Sequence, residues 1–218
     1  MKVLVISAHH DDETFGAGGS LLKHVARGDE VYWLNFTETW DKYDKQRIDR
    51  ARLQQTIARE TGFSGYKLLG FPDGGLDTVP FRTLFDAAAV YLKQTDPDWI
   101  YTIGPGDIHP DHDIVYRLVM AITRPTRWKG LKILGMEIHS STSWAWANKS
   151  NSFIPNIYND ITPYLDRKLE IASLYKDEMN EYPHARSLEA IKAIASYRGS
   201  SVGVRYAEAF MLMKEVIR

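Results

Sequence analysis

Two short polar clusters in this chain carry residue types suited to hydrolysis at a metal ion. The first, His9-His10-Asp11-Asp12-Glu13, follows an apolar run that ends at Ser7-Ala8 and leads into Thr14-Phe15-Gly16-Ala17-Gly18-Gly19. Fold stability alone does not ask for five consecutive ionisable side chains. A strand end turning into a helix presents His9, Asp11 and Asp12 in one crevice, with a helix N-terminus close by. Histidine and carboxylate both ligate divalent cations, and a spare carboxylate beside them serves as a base. The second cluster is Asp107-Ile108-His109-Pro110-Asp111-His112-Asp113. Three ligands plus an open position make a catalytic zinc site. His9, Asp12 and His112 are the three chosen, which leaves Asp11, His109 and Asp111 for other work. A carboxylate next to the metal takes a proton from water whose pKa the metal lowers toward about 7. A histidine opposite it, paired with a carboxylate, stays protonated and steadies a developing oxyanion. Asp111 beside His109 supplies that partner. A helix cap alone explains Asp11 or Asp12 but neither His9 nor the second cluster.

The elements that must position these residues are legible as alternating strands and helices. Val3 to Ser7 is a short β-branched run, the mark of a strand buried on both faces. Phe15 to Arg27 has helical spacing and stops at Gly28. Glu30 to Thr37, Tyr66 to Phe71, Asp98 to Ile103 and Leu131 to Ile138 read as further strands. Gln46 to Thr61, Phe81 to Gln94 and Ile114 to Thr123 read as helices. The pattern predicts an α/β, Rossmann-like doubly wound and mainly parallel sheet of order 3-2-1-4-5. In such sheets the crevice lies beyond the strand ends where strand order reverses. The first and fourth strands meet there, and each cluster follows one of them. Ser140 to Thr162 reads as a long loop with one short strand, Leu165 to Glu178 and Leu188 to Ser196 as helices, and Ala207 to Val216 as strand or helix. These residues form a C-terminal extension packed on the sheet, within a single domain spanning 1–218.

The remaining polar and aromatic residues receive simpler readings. Asp73, in Pro72-Asp73-Gly74-Gly75, is first a turn residue and second a substrate ligand. His24 reads as a surface residue of a helix. His10 reads equally as structural and functional, and His139 ends the fifth strand on the crevice side. Trp40, Trp144 and Trp146 lie in loops, where they pack onto the core or stack on a ligand. Substrate specificity is expected from the loops around residues 38–46 and 140–160.

Composition narrows the classes. The 218 residues carry a formal net charge of -1, with 44% hydrophobic and 25% charged residues and no cysteine. No thiolate ligand, thiol nucleophile or disulfide framework is available, and no global charge draws nucleic acid. The N-terminal apolar run is too short for a signal peptide, and no run has the length of a membrane span. A cytoplasmic location is the expectation.

Ala8-His9-His10-Asp11-Asp12-Glu13 resembles the Ala-His-Pro-Asp-Asp-Glu motif of the PIG-L/LmbE-like deacetylases, and His109-Pro110-Asp111-His112 resembles that family's second motif. Gly18-Gly19, the Leu69-Gly70-Phe71-Pro72-Asp73-Gly74 turn and Tyr206-Ala207-Glu208-Ala209-Phe210 follow in the family's order. The resemblance implies hydrolysis of an N-acetyl group from an N-acetylglucosamine-like sugar or conjugate, with Zn2+ or Fe2+. It implies His9, Asp12 and His112 as ligands, Asp11 as general base, and His109, oriented by Asp111, at the oxyanion. Glu13 fixes the turn. It implies Arg50 as the arginine that contacts substrate. Two departures stand out: His10 replaces proline, and Leu53 replaces the glutamate of Arg-x-x-Glu. The partner implied is a small amino-sugar substrate, with no nucleic acid and no membrane span; homo-oligomerisation is left open. The rival readings are a non-catalytic sugar- or partner-binding relative, an iron facial-triad oxygenase and a nucleotide-binding module. For the last, no Gly-x-Gly-x-x-Gly follows the first strand.

Overall fold

The structure, a computed structural model, describes residues 1–38, 50–124, 128, 130–146 and 152–216. Five parallel strands are laid down first: β1 Lys2–Ser7, β2 Glu30–Glu38, β3 Gly65–Pro72, β4 Trp99–Ile103 and β5 Lys132–Met136. Two more, β6 Ile157–Asp160 and β7 Ala207–Lys214, complete a seven-stranded sheet of order β3-β2-β1-β4-β5-β7-β6. The order 3-2-1-4-5 is as the alternation predicts. The C-terminal segment adds an antiparallel pair, β7 against β5 and β6 against β7. Val3 to Ile6 are fully buried because β1 lies in the centre with a parallel neighbour on each side and helices over both faces.

The helices are α1 Asp12–Ala26, α2 Arg50–Thr61, α3 Phe81–Thr95, α4 Pro110–Ile122, α5 Leu165–Ala172 and α6 Leu188–Ser200. α1 and α2 pack with α5 and with each other on one face, while α3 and α4 pack together on the other. Two helices begin earlier than periodicity suggests. α1 starts at Asp12 rather than Phe15, and α4 at Pro110 rather than Ile114, so both polar clusters occupy helix N-termini. The first turn of a helix can be polar where it faces a crevice, and hydrophobic spacing then misses it. The helix expected over Leu165 to Glu178 ends at Ala172, and the next residues run as turns toward the site. The start expected at Gln46 and the loop residue Trp40 lie outside the described residues.

α1 sits unusually close to the C-terminal extension. A Cβ on Gly19 would stand 2.8 Å from Ile161, and one on Gly16 would stand 2.8 Å from Ile138. Through this contact the buried Glu208 of β7 accepts from the N–H groups of Gly19 (2.9 Å) and Ser20 (2.8 Å). Lys168 of α5 donates to Glu208 at 2.7 Å and to the Phe15 carbonyl at 3.0 Å. His24 is not a surface residue. It is buried, with Nδ1 2.7 Å from Asp29 and Nε2 3.0 Å from the Tyr101 hydroxyl. Among the described residues no helix is long and apolar enough to cross a membrane.

Candidate active site

The turn from β1 into α1 builds half of the site. Asp12 reaches back, its Oδ2 accepting from the N–H groups of Ala8 (3.0 Å) and His9 (2.9 Å), and so fixes the loop that carries His9. Its Oδ1 is buried without a hydrogen-bond partner among the described residues and lies 3.4 Å from His112 Nε2. The other half follows β4. His109 is the N-cap of α4, with Pro110 in its first turn, a position that suits proline's fixed φ. His109 Nδ1 accepts from the Asp111 N–H at 3.2 Å. This start to the helix brings His112 Nε2 to 3.0 Å from His9 Nδ1. Two motifs far apart in sequence thus meet where β1 and β4 lie side by side.

Each of these facing imidazoles is held from behind by carboxylates. His112 Nδ1 lies 3.0 Å from Asp107 Oδ1. Asp107 in turn accepts from the Ser141 and Thr142 hydroxyls, each at 2.8 Å, and from the His109 N–H at 2.9 Å. His9 Nε2 lies 3.3 Å from Asp111 Oδ2 and 3.2 Å from Asp73 Oδ1. Asp111 accepts from the N–H groups of Gly74 (2.9 Å) and Leu76 (3.1 Å), so the dense turn after β3 anchors it. Arg50 Nη1 donates to Asp73 Oδ2 at 2.7 Å.

This arrangement corrects one expectation. Asp111 orients His9 rather than His109, because its carboxylate is already claimed by the Gly74–Leu76 turn and by His9 Nε2. Nor is His109 kept charged. Burial, together with the nearby His9 and His112 rings, holds its pKa below the ordinary imidazole value. Since Nδ1 accepts a backbone N–H, the neutral ring carries its proton on Nε2 and is a donor there.

The other charges follow from burial and pairing. Burial opposes ionisation of Asp12, but His112 and His9 outweigh it and pull its pKa far below the carboxylate range. Burial likewise disfavours charge on His112, yet Asp12 and Asp107 raise it to about 9. His9 is raised well above the usual value against its burial, by Asp111 and Asp73. Glu13 is fully buried, and that burial raises it to about 8 although Thr14 and Tyr175 donate to it. A carboxyl kept neutral at this depth fixes the turn and has no charge to offer the reaction.

The donor set fits a divalent cation. The outer nitrogens of His9 and His112 are taken by carboxylates, the second partners that metal-binding histidines almost always have. Their inner nitrogens, Nδ1 and Nε2, face each other beside the unpartnered Asp12 Oδ1. Among the described residues two groups of donor atoms lie within 4.8 Å of one another, neither including Asp12: His9, His109 and His112, and His9, Asp73 and Asp111. The backbone bond at His109 Nδ1 weakens the first of these. The second group draws on the face of His9 turned away from His112.

Several neighbours carry no motif that marks them in sequence. Arg186 Nη1 lies 2.8 Å from Asp11 Oδ2 and also pairs with Glu178. Asp107 stands inside the second cluster, where only its place in the loop hinted at the role it takes behind His112. His10 is buried, its Nδ1 without a hydrogen-bond partner among the described residues and its ring edge-on to Tyr175 at 5.5 Å. A cavity of about 220 Å³ is lined by His10, Arg50, Leu53, Tyr175 and Glu178 among others. Both departures from the family pattern, His10 and Leu53, therefore border one space. His139 is buried and burial pushes its pKa well down. Trp144 is exposed, with its edge toward His184 at 5.4 Å, and Trp146 is more exposed still.

Residues 4–123 match the family model PIG-L, described as GlcNAc-PI de-N-acetylase. The chain is 27% identical over 185 residues to the 1D-myo-inositol 2-acetamido-2-deoxy-alpha-D-glucopyranoside deacetylase of Mycolicibacterium vanbaalenii, covering 71% of this chain and 65% of that one, just short of two thirds of its length. It is 24% identical to the diacetylchitobiose deacetylase of Thermococcus kodakarensis, over 95% of this chain and 81% of the relative. Among solved structures, a conserved protein from Thermus thermophilus superposes with a TM-score of 0.75 at 26% identity, covering 99% of this chain and 96% of that one.

Proposed function

The chain belongs to the PIG-L family of GlcNAc-PI de-N-acetylases, and from that premise we propose that it is a metal-dependent hydrolase removing an N-acetyl group from an N-acetylglucosamine-like sugar or conjugate. The observation that carries the reading is the pair of facing nitrogens, His9 Nδ1 and His112 Nε2, 3.0 Å apart and beside the orphaned Asp12 Oδ1. His9, Asp12 and His112 would hold the metal, zinc in the first instance and iron(II) in the second. When bound, the metal lowers the pKa of water toward about 7 and polarises the acetyl carbonyl.

The chain's own residues do the rest. Asp11 follows His10 and precedes Asp12, and it accepts a proton from the attacking water. His109 donates from Nε2 to the carbonyl oxygen as negative charge develops on it, which a neutral imidazole can do. The C–N bond then breaks, and Asp11 returns the proton to the leaving nitrogen, giving acetate and the free amino sugar. Asp111 and Asp107 act behind His9 and His112, keeping the ring nitrogens that face the metal unprotonated once it is bound. Arg50, tied to Asp73, is the substrate contact on the rim of the cavity. The deacetylases among the relatives support an acetamido sugar as the class of substrate.

The test is release of primary amine from a panel of N-acetylglucosamine conjugates, using zinc-loaded and metal-stripped protein. Release that needs the metal is the expected result. No release across the panel from protein carrying stoichiometric zinc would reject the assignment.

A further inference from the structure

We propose that Arg186 is a positioning residue for Asp11, holding its carboxylate in place for proton transfer from a part of the chain outside both motif clusters. The inference rests on the reading of Asp11 as the base. Asp11 flanks the start of α1, yet its side chain caps none of the helix N–H groups. It is buried, 1% exposed, and among the described residues neither carboxylate oxygen finds a hydrogen bond of good geometry. Among the described residues its one cationic contact is Arg186 Nη1, 2.8 Å from Oδ2. Without that contact no neighbour among those residues would fix the rotation of the carboxylate.

Arg186 is itself secured from several sides. The same Nη1 meets Glu178, Nε donates to Ser140 Oγ at 3.3 Å, and the guanidinium lies over the Phe15 ring at 5.1 Å. Its own N–H donates to His184 Nδ1 at 3.1 Å. Ser140 has φ 87°, a left-handed conformation that residues with a Cβ seldom adopt and that persists where the surroundings enforce it. The next two residues, Ser141 and Thr142, are the ones that hold Asp107 behind His112. One turn after β5 therefore steadies both sides of the site: the base through Arg186, and a ligand histidine through Asp107. Displacement of a reacting group by about 1 Å costs on the order of 100-fold in rate, so fixing Asp11 is a role of the right size.

The experiment compares wild type, Arg186→Lys, Arg186→Gln, Asp11→Asn and the Asp11→Asn/Arg186→Gln double variant, each zinc-loaded. Amine release, zinc content and thermal unfolding are measured for all five. Arg186→Gln is expected to lower kcat on the order of 100-fold with KM changed less than about threefold and zinc retained. Lysine recovers part of the loss, and adding Arg186→Gln to Asp11→Asn costs nothing further in rate, because the residue acts only through Asp11. A rise in KM at unchanged kcat, or losses that add, would overturn the proposal and make Arg186 a direct substrate contact. The unfolding arm does not depend on turnover. Removing the carboxylate in the Arg186→Gln background should restore part of the Tm lost by that variant, since the unpaired buried charge is gone. Additive Tm losses would show that the pair is not coupled and end the proposal. If the wild type releases no amine, the hydrolase reading fails and this role fails with it, while coupled Tm values among the variants would still establish the ion pair.

Discussion

His9 and His112 hold each other's inner nitrogens at 3.0 Å while carboxylates grip their outer ones. In the metal-free protein the surrounding Asp12, Asp107, Asp111 and Asp73 draw protons onto these rings; a cation would replace those protons. Zinc uptake at pH 7 is therefore expected to release protons, one at the least, because His112 is raised to about 9. An indicator dye in weak buffer measures this, and uptake without proton release would contradict it. The same shift gives the metal-free fold a pH dependence of known sign. A histidine raised from 6.5 to about 9 contributes stability that is full below 6.5 and is lost as pH rises through 9. Glu13, raised from 4.5 to about 8 by its burial, acts in the same direction. Thermal unfolding of metal-free protein should thus shift to lower temperature from pH 6.5 to 9. Asp107→Asn should weaken zinc binding about 10- to 100-fold, the usual cost of losing the partner behind a ligand histidine; a competition titration reads it. At this scale residue type alone singled out His9, Asp12 and His112, side chains that the fold brings together. Partnership was not legible: Asp111 looked like the companion of its neighbour His109 but binds His9, a choice made by the Gly74–Leu76 turn coming in from β3.

The elements explain why both clusters face one crevice and why some boundaries were misplaced. β1 and β4 pair in parallel, Val3 with Trp99 through Ile6 with Thr102, so the loops leaving both strands emerge on the same edge. Apolar β-branched runs identified these strands without difficulty. The starts of α1 and α4 were hidden because their first turns are built from the site residues themselves, whose polarity breaks the helical pattern. β7 was ambiguous between strand and helix, and its antiparallel place beside β5 depends on long-range pairing that no local pattern states. The Gly18-Gly19 pair also gains a reason. α1 must come close enough for Glu208 to reach its backbone, and a Cβ on Gly19 would collide with Ile161 at 2.8 Å. Lys168, 2% exposed in its side chain, is the only cation bonded to Glu208 among the described residues. Lys168→Met should then destabilise by about 3–5 kcal/mol, the cost of leaving one member of a buried pair alone. Adding Glu208→Gln should recover part of it. Urea unfolding of the single and double variants provides the comparison, and equal stability for Lys168→Met and wild type would show the pair to be dispensable.

For the whole molecule, the sheet places two motifs at a topological switch point, and the C-terminal extension adds what they lack. Arg186 and Glu178 come from that extension: Glu178 ends the stretch expected to be helical, which runs as turns after Ala172, and Arg186 lies in the connection before α6. No local signal in His184-Ala185-Arg186-Ser187 marks a residue that touches Asp11; only the fold brings it there. Arg50 of α2 lies 3.9 Å from Glu178, and both line the cavity that His10 and Leu53 border. Arg50→Ala is expected to raise KM more than it lowers kcat if the arginine binds substrate and transition state alike. Steady-state kinetics on one N-acetylglucosamine conjugate separate the two constants, and unchanged values would remove Arg50 from the site. The central claim is that one hydrolytic site arises from both clusters, with Asp11 free of the metal and acting as its base. The most direct measurement is amine release by Asp11→Asn alongside its zinc stoichiometry. The account predicts one zinc per chain with turnover reduced about 100-fold or more, the range for loss of a general base. Turnover equal to wild type, or zinc lost together with activity, would contradict it.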